Sequence, residues 1–321
     1  MAGQIWATNS LGGFFYSLNL SDELREALQP MSRFRQFADV KDAAGKHKGN
    51  TFTWDTVQDA ATAGGTLVET NTMPETNFTI IQGTLTITEY GNSVPYSGKL
   101  EALSKFEVRK PVMQALRNDA GKTLDAAAYA QFYLTPLRVV PTGGTDTTLL
   151  TLTTNGTATL TNQVAFGSGH AKTVVDTMKE RNIPAYVGDD YMAIGWPTTF
   201  RGLKNTLETL HQYTESGIKL IFNGEIGRYE NMRYVEQTNV TKGITATGRA
   251  GVAWTGADSD WIFFFGEDTV AEGIAIPEEM RAKIPTDFGR SKGVAWYALL
   301  GYGIVHTNAV QARIVMWDSA A

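Results

Sequence analysis

The residues best suited to catalysis or metal binding are few and scattered. The four histidines, His47, His170, His211 and His306, form no HxH or HxxxH pair, the local spacing from which zinc sites usually draw ligands. Cysteine is absent, which removes thiol nucleophiles, Cys-ligated zinc, iron–sulfur clusters and disulfide scaffolds together. Gly167-Ser168-Gly169-His170 lacks the spacing of a nucleophile elbow, and Ser168 reads instead as the cap of a following helix. Neither a phosphate-binding G-x-x-x-x-G-K-[ST] loop nor a strand–GxGxxG–helix arrangement is present. The adjacent carboxylates Asp189-Asp190 and Glu278-Glu279 read as solvent-facing groups on turns or first helical turns. These absences point to a protein that is not an enzyme, with no cofactor and no metal.

The most distinctive run is NGEIGRYENMRYVEQTNV, residues 223–240. Gly224 and Gly227 permit tight turns, and Glu225, Arg228, Glu230, Arg233 and Glu236 follow with Tyr229 and Tyr234 among them. Two readings stand. One is a twisted strand with a solvated charged face; the other is a subunit contact in which arginine forks bind carboxylates across an interface.

The elements that must position these residues alternate between compact and extended text. Residues 1–45 read as an arm, with a short helix capped by Ser21 and ended by Pro30. Arg33, Arg35, Lys41, Lys46 and Lys48 mix with Phe34 and Phe37; such a mixture can touch nucleic acid, though phenylalanines packed on a neighbour are the plainer reading. Residues 50–98 are threonine-rich. Phe52 and Trp54 alternate with polar residues, as do Leu85 and Ile87, while Phe78 and Ile80 keep the opposite parity, which predicts a bulge near Ile81 or Gly83. A long two-stranded arm is marginal alone in water and needs another surface to lie on.

Residues 98–135 carry the strongest helical spacing, with Ser97 as its cap and a kink expected at Pro111. A helix of thirty-some residues would span roughly 50 Å. Leu137–Gln163 is extended again, with Asn155-Gly156 as a hairpin signal. A helix follows from about His170, then a strand near Tyr191, a loop rich in small residues after Thr241 and a buried strand in DWIFFFG. Val294–Val305 reads as a core strand, and Val310, Ala312, Ile314 and Met316 as a half-buried one.

Composition narrows the class. The chain of 321 residues is 42% hydrophobic and 19% charged, with 28 basic and 33 acidic residues and a net charge of −5. The apolar share supports a sizeable core, and the balance disfavours binding nucleic acid through overall basic charge. The longest apolar stretches, such as Trp261–Phe265 and Val294–Leu300, fall far short of the ~20 residues of a membrane helix. The N-terminal residues show no secretory pattern, so a soluble intracellular product without membrane contact is expected.

The run Gly224-Glu225-Ile226-Gly227-Arg228, followed by Arg233, Val235, Glu236 and, after Gln237, Thr238, resembles the major capsid proteins of tailed bacteriophages. The likeness is to the branch named for coliphage N-four, and the order of arm, extended segment and long helix extends it over nearly the whole chain. The resemblance implies an α+β, Hong Kong 97-type capsid fold. It places an N-terminal arm at 1–45, an extended β-hairpin E-loop at 46–98 and a P-domain at 99–184 with its spine helix at about 99–135. An A-domain then occupies 185–290, and C-terminal strands at 291–321 return to the P-domain.

It further implies hexamers and pentamers in an icosahedral shell around double-stranded DNA, in a virion assembled in the host cytoplasm. A separate scaffolding protein, a portal and a decoration protein are the partners it suggests, with weak non-specific contact to packaged DNA. Lysines near the hairpin carry no motif for covalent crosslinking. Candidate subunit contacts are Phe52, Trp54, Phe78, Ile80, Glu225, Arg228, Glu230, Arg233 and Glu236. The rivals are an encapsulin-type nanocompartment shell and, from another class, a β-rich hydrolase or carbohydrate-binding virion protein.

Overall fold

A strand whose successive residues are all apolar has no face to give to water and must be covered on both sides. Trp261–Phe265 is such a run, and each of its side chains is at most 4% exposed. A computed structural model of the chain describes residues 33–42, 49–58, 64–70, 72–105, 107–141, 150–154, 164–205, 225–240, 259–285 and 287–320. The expected Ser21-capped helix, the Asn155-Gly156 hairpin and the small-residue loop after Thr241 lie outside the described residues, as do His47 and His211.

In chain order the strands are β1 (Ala38–Asp42), β2 (Thr51–Val57), β3 (Ile80–Thr86), β4 (Thr88–Ser97), β5 (Leu137–Pro141), β6 (Leu150–Thr154) and β7 (Tyr191–Gly195). They continue with β8 (Glu225–Tyr229), β9 (Met232–Glu236), β10 (Ser259–Phe265), β11 (Val270–Ala282), β12 (Ser291–Ile304) and β13 (Ile314–Ala320). The helices are α1 (Gly98–Leu103), α2 (Arg109–Phe132) and α3 (Ser168–Glu180). Two compact units result. One gathers the residues up to Asn50, Ile87–Ala130 and Glu272–Tyr302; the other gathers Thr51–Thr86, Gln131–Ala271 and Gly303–Ala321.

The second unit is built on a seven-stranded sheet in the order β6-β5-β13-β10-β7-β9-β8. At its centre β10 pairs antiparallel with β13, from Ser259↔Ala320 to Phe265↔Ile314. Side chains of β10 alternate between two layers. Ile262 and Phe264 join a core with Val174, Val175 and Met178 of α3, together with Phe200, Tyr234 and Trp317. Phe263 and Phe265 meet the edge of Phe132, the last residue of α2, at centroid distances of 6.3 and 5.1 Å. Buried polar groups within this sheet are partnered across strands. Asp318 on β13 pairs with Arg138 on β5 at 3.1 Å and accepts the indole N–H of Trp261 on β10 at 3.0 Å. Arg138 and Asp318 are almost fully buried, so each charge depends on the other.

The first unit carries the sheet β1-β11-β12-β4. The β12–β4 pair runs antiparallel from Ser291↔Ser97 to Leu300↔Thr88. Helix α2 buries Val112, Leu116, Ala120, Leu124 and Ala128. A spacing of four drifts by about 40° per step, so the buried stripe winds around the helix. Asp119 fastens α2 to the sheet by accepting from Trp296 Nε1 and Asn92 Nδ2, both at 2.9 Å. Asp125, fully buried, accepts the backbone N–H groups of Phe34 and Arg35 at 2.8 and 3.2 Å.

Several expectations change. The helical text is two helices: Ser97 caps α1 through the Leu100 N–H at 3.1 Å, and Ser104 ends it. Pro111 sits in the first turn of α2, where its missing N–H has no acceptor to lose. It starts the helix rather than kinking it, and 24 residues span only roughly 36 Å. Ser168 is the first residue of α3 and not its cap; the cap is Gly167, whose N–H is accepted by His170 Nδ1 at 3.2 Å. The β2–β3 ladder runs from Thr51↔Thr86 to Val57↔Ile80 without a shift, so no bulge turns Phe78 and Ile80 inward. Val310 is exposed in a turn, and β13 is buried on successive residues because strands and layers enclose it on both sides.

The expected segment boundaries also differ from the units. Residues on both sides of the expected division at 184 share the seven-stranded sheet, and the expected C-terminal piece is divided, with β12 in one sheet and β13 in the other. Pairing between strands distant in sequence decides this, and periodicity carries no record of it.

Truncating Phe264 removes a fully buried ring from the middle of the α3 layer. Phe264→Ala is expected to lower stability by about 3–5 kcal/mol, read from the midpoint of urea unfolding.

Candidate functional site

The hairpin β2–β3 has a locked root and an uncovered remainder. Trp54 stands opposite Gly83 across the ladder, and its indole occupies the space that any β-carbon on Gly83 would need. Gly303 gives way in the same manner: a β-carbon there would lie 2.8 Å from Leu85 Cβ and 3.1 Å from the Trp54 ring. The Trp54 indole N–H donates to the Val305 carbonyl at 3.2 Å. Phe52, half-buried, lies beside Trp54 with a centroid distance of 6.4 Å. Two of the four expected hairpin contacts, Phe52 and Trp54, therefore pack within their own chain.

The other two do not. Phe78 is 62% exposed and Ile80 54%, and Val57, Leu67, Val68 and Met73 are exposed to a similar degree. Six large apolar side chains between Val57 and Ile80 are thus open to solvent.

The charged run 225–236 folds as the hairpin β8–β9. Its two-residue turn, Glu230-Asn231, has φ of 52° and 58°, the left-handed pair of a type I′ turn. Glu230 is thus an exposed turn residue in a conformation that suits glycine or asparagine better. Gly227 sits at the register irregularity between Glu225 and Gly227, so it serves a bulge rather than a turn. The side chain of Glu225 lies outside the described residues.

The arginine forks find their carboxylate in the same chain. Asp190, expected at the surface, is only 4% exposed. Arg228 Nε meets its Oδ1 at 2.7 Å and Arg233 Nε meets its Oδ2 at 3.0 Å. A tight turn with Gly188 at φ +60° delivers Asp190 to this place. Glu236 pairs with Lys204. Asp190 is the residue that sequence reasoning missed; the only signal was its position directly before the apolar strand β7. Arg228 and Arg233 remain 51% and 40% exposed while paired.

In the first unit Arg35 gathers a second ionic cluster. Its Nε bonds Glu272 at 2.9 Å, its two terminal nitrogens bond Glu278 at 2.8 and 3.0 Å, and Tyr302 donates to Glu272 at 3.0 Å. Burial alone would lower the guanidinium's pKa, but the bonds from Glu278 and the charges of Tyr302 and Glu272 raise it overall. The hydrogen bonds from Arg35 hold the Glu278 carboxyl below its usual range against the opposing effect of burial. Burial, reinforced by the Glu272 charge, pushes the Tyr302 hydroxyl up.

Comparison with known proteins gives this geometry a context. Residues 12–130 match the model of the phage capsid family. No curated protein sequence matches the chain. Among solved structures, the capsid of cyanophage P-SCSP1u superposes with a TM-score of 0.68 at 12% identity, covering 95% of this chain and 93% of that one. The capsid of Ralstonia phage GP4 gives 0.66 at 15% identity with 97% of each chain covered. The head of Helicobacter pylori bacteriophage KHP40 gives 0.68 at 13% identity with 95% of each covered. The fold is the α+β, Hong Kong 97-type fold of phage capsids. The matches reach across phages of unrelated hosts, so they support that fold at large rather than the N-four branch.

Two outcomes follow from the ionic clusters. Asp190→Asn leaves two guanidiniums without their carboxylate, and hydrogen exchange in 225–236 should accelerate ahead of exchange in β10. Arg35→Gln leaves buried Glu272 without its cation, which should cost about 3 kcal/mol at neutral pH by chemical unfolding. The Glu278 contribution is present above the ordinary carboxylate pKa of about 4.3 and is lost as pH falls through its lower folded value. The wild type should therefore lose more stability than Arg35→Gln on acidification below about pH 4.5. The Glu278 share of that difference stays under about 1 kcal/mol because its carboxylate is partly solvated.

Proposed function

We propose that this chain is the major capsid protein of a tailed phage, a structural protein that closes with copies of itself into an icosahedral shell around double-stranded DNA. The observation that carries this reading is a phage-capsid fold that covers nearly the whole chain and nearly the whole of each matched capsid subunit. The subunits form hexamers and pentamers, and the mature protein resides in the virion after assembly in the host cytoplasm. A separate scaffolding protein, a portal, a decoration protein and weak contact with packaged DNA complete the expected partners.

In this reading β2–β3 and the segment joining them are the E-loop, and α2 is the spine helix. The sheet of the first unit belongs to the P-domain, and the seven-stranded sheet includes the A-domain strands. The exposed face of Phe78, Ile80 and Val57 supports contact with a neighbouring copy, because a two-stranded ladder with an apolar face is marginal in water alone. Arg228 and Arg233 stay exposed enough to offer polar contacts to a neighbouring copy while Asp190 keeps them in place. Each contact is weak, and a closed shell gains strength by repeating it.

Light scattering on the full chain co-expressed with its scaffold should give particles in the megadalton range, and a monomer at every concentration would count decisively against a shell. Phe78→Asp combined with Ile80→Asp touches only exposed positions, so stability should change by at most about 0.5 kcal/mol per site. Electron microscopy should then show no closed shells, as it should for deletion of residues 55–80. Normal shells from either variant would remove the hairpin from the assembly contact.

A further inference from the structure

The end of β2, Thr56 and Val57 with the following Gln58, forms one wall of a cavity of about 430 Å3 within the second unit. Three of its lining residues each carry a buried polar atom with no hydrogen-bond partner: Gln58 Nε2, Arg181 Nε and His306 Nδ1. The far ends of two of them are fixed. Arg181 Nη2 donates to the Ala309 carbonyl at 2.5 Å, and His306, 6% exposed, holds Asp268 through Nε2 at 3.2 Å. Arg313 also lines the cavity, with Nη1 3.4 Å from Asp268.

The charged groups of this lining, two guanidiniums, have one sign. The His306 imidazole stands with the side-chain amides of Gln58, Asn182, Asn308 and Gln311, and among the described residues no aspartate or glutamate lines the space. The neighbouring end of α3 does not supply the missing acceptors. Its Thr177, Lys179 and Met178 carbonyls are taken by the N–H groups of Arg181, Asn182 and Ile183 at 3.1, 2.9 and 3.0 Å. A buried N–H without an acceptor keeps its full desolvation cost, and two such donors with an unpartnered ring nitrogen on one cavity are costly to leave unanswered. A cation would be repelled by the arginines, and an apolar group would leave the donors as they are.

We propose that this cavity binds an oxyanion, a carboxylate or a phosphate, with Gln58 Nε2 and Arg181 Nε as donors and Arg313 supplying further positive charge. The oxyanion comes either as a small ion from solution or as the carboxylate of a second copy of this chain. Because Gln58 directly follows β2, occupancy couples the far end of the hairpin ladder to the cavity-lining residues between His306 and Arg313. This inference does not depend on the shell reading, since the cavity is complete within one subunit.

Calorimetric titration of the dispersed full chain with inorganic phosphate, and separately with glutarate, at constant ionic strength tests it. Saturable binding near one site per chain is expected for at least one probe, with chloride giving none. Gln58→Leu and Arg181→Lys each remove one donor, the second with the charge kept, and each should weaken binding by about tenfold. Gln58 lies at the edge of the hairpin, so that variant keeps the test valid if Arg181→Lys fails to fold. Absence of saturable binding by both probes, or affinity unchanged in a folded Gln58→Leu variant, overturns the proposal. Phosphate bound equally by dispersed and assembled protein identifies a solution ion as the occupant; phosphate bound only by the dispersed chain identifies the carboxylate of a neighbouring copy. Failure of the chain to form particles would overturn the shell reading and leave the dispersed-chain result standing.

Discussion

Coverage of β10 on both faces is the constraint from which the second unit follows. Phe263 and Phe265 need Phe132 on one side, while Ile262 and Phe264 need the α3 layer on the other. Neither layer is dispensable, because five consecutive buried apolar residues leave no surface that water can accept. The partner strand β13 inherits the same condition, which is why Ile314–Trp317 is buried without alternation. A sheet enclosed this way has little tolerance for an unpartnered polar group, and Asp318 is answered from both neighbouring strands.

Three of the buried carboxylates follow a common pattern. Asp318 has Arg138, Asp190 has Arg228 and Arg233, and Glu272 has Arg35 with the Tyr302 hydroxyl. In each case the partners come from segments distant along the chain, so each pair forms only when the unit has closed. Such pairs add little net stability compared with apolar packing, but separating them is expensive. They select the closed arrangement over near alternatives.

The hairpin shows the opposite economy. Its root is fixed by an indole set over two glycines and hydrogen-bonded to a backbone carbonyl. Beyond the root, apolar side chains stay in solvent. A root held this way keeps the exposed side chains in a constant arrangement, whereas a loose root would spend free energy on ordering in any association.

Local text determined a good deal here. The buried strand at Trp261–Phe265, the cap at Ser97, the two runs of the hairpin and the helical stripe of α2 were readable because each rests on neighbours within a few residues. The order of arm, hairpin and helix, with the charged run at 223–240, was enough to suggest the capsid fold. Residue type also identified the arginines as carboxylate binders. Which carboxylate they bind was not readable. Asp190, apparently a turn residue, is enclosed because β7 and β9 lie parallel and bring Arg228 and Arg233 over it. Phe52 and Phe78 looked equivalent, yet one rests on its own subunit and the other does not. Only the tertiary structure decided these cases, since burial and charge pairing depend on strands that meet across long stretches of chain, while periodicity and capping record only forces between near neighbours.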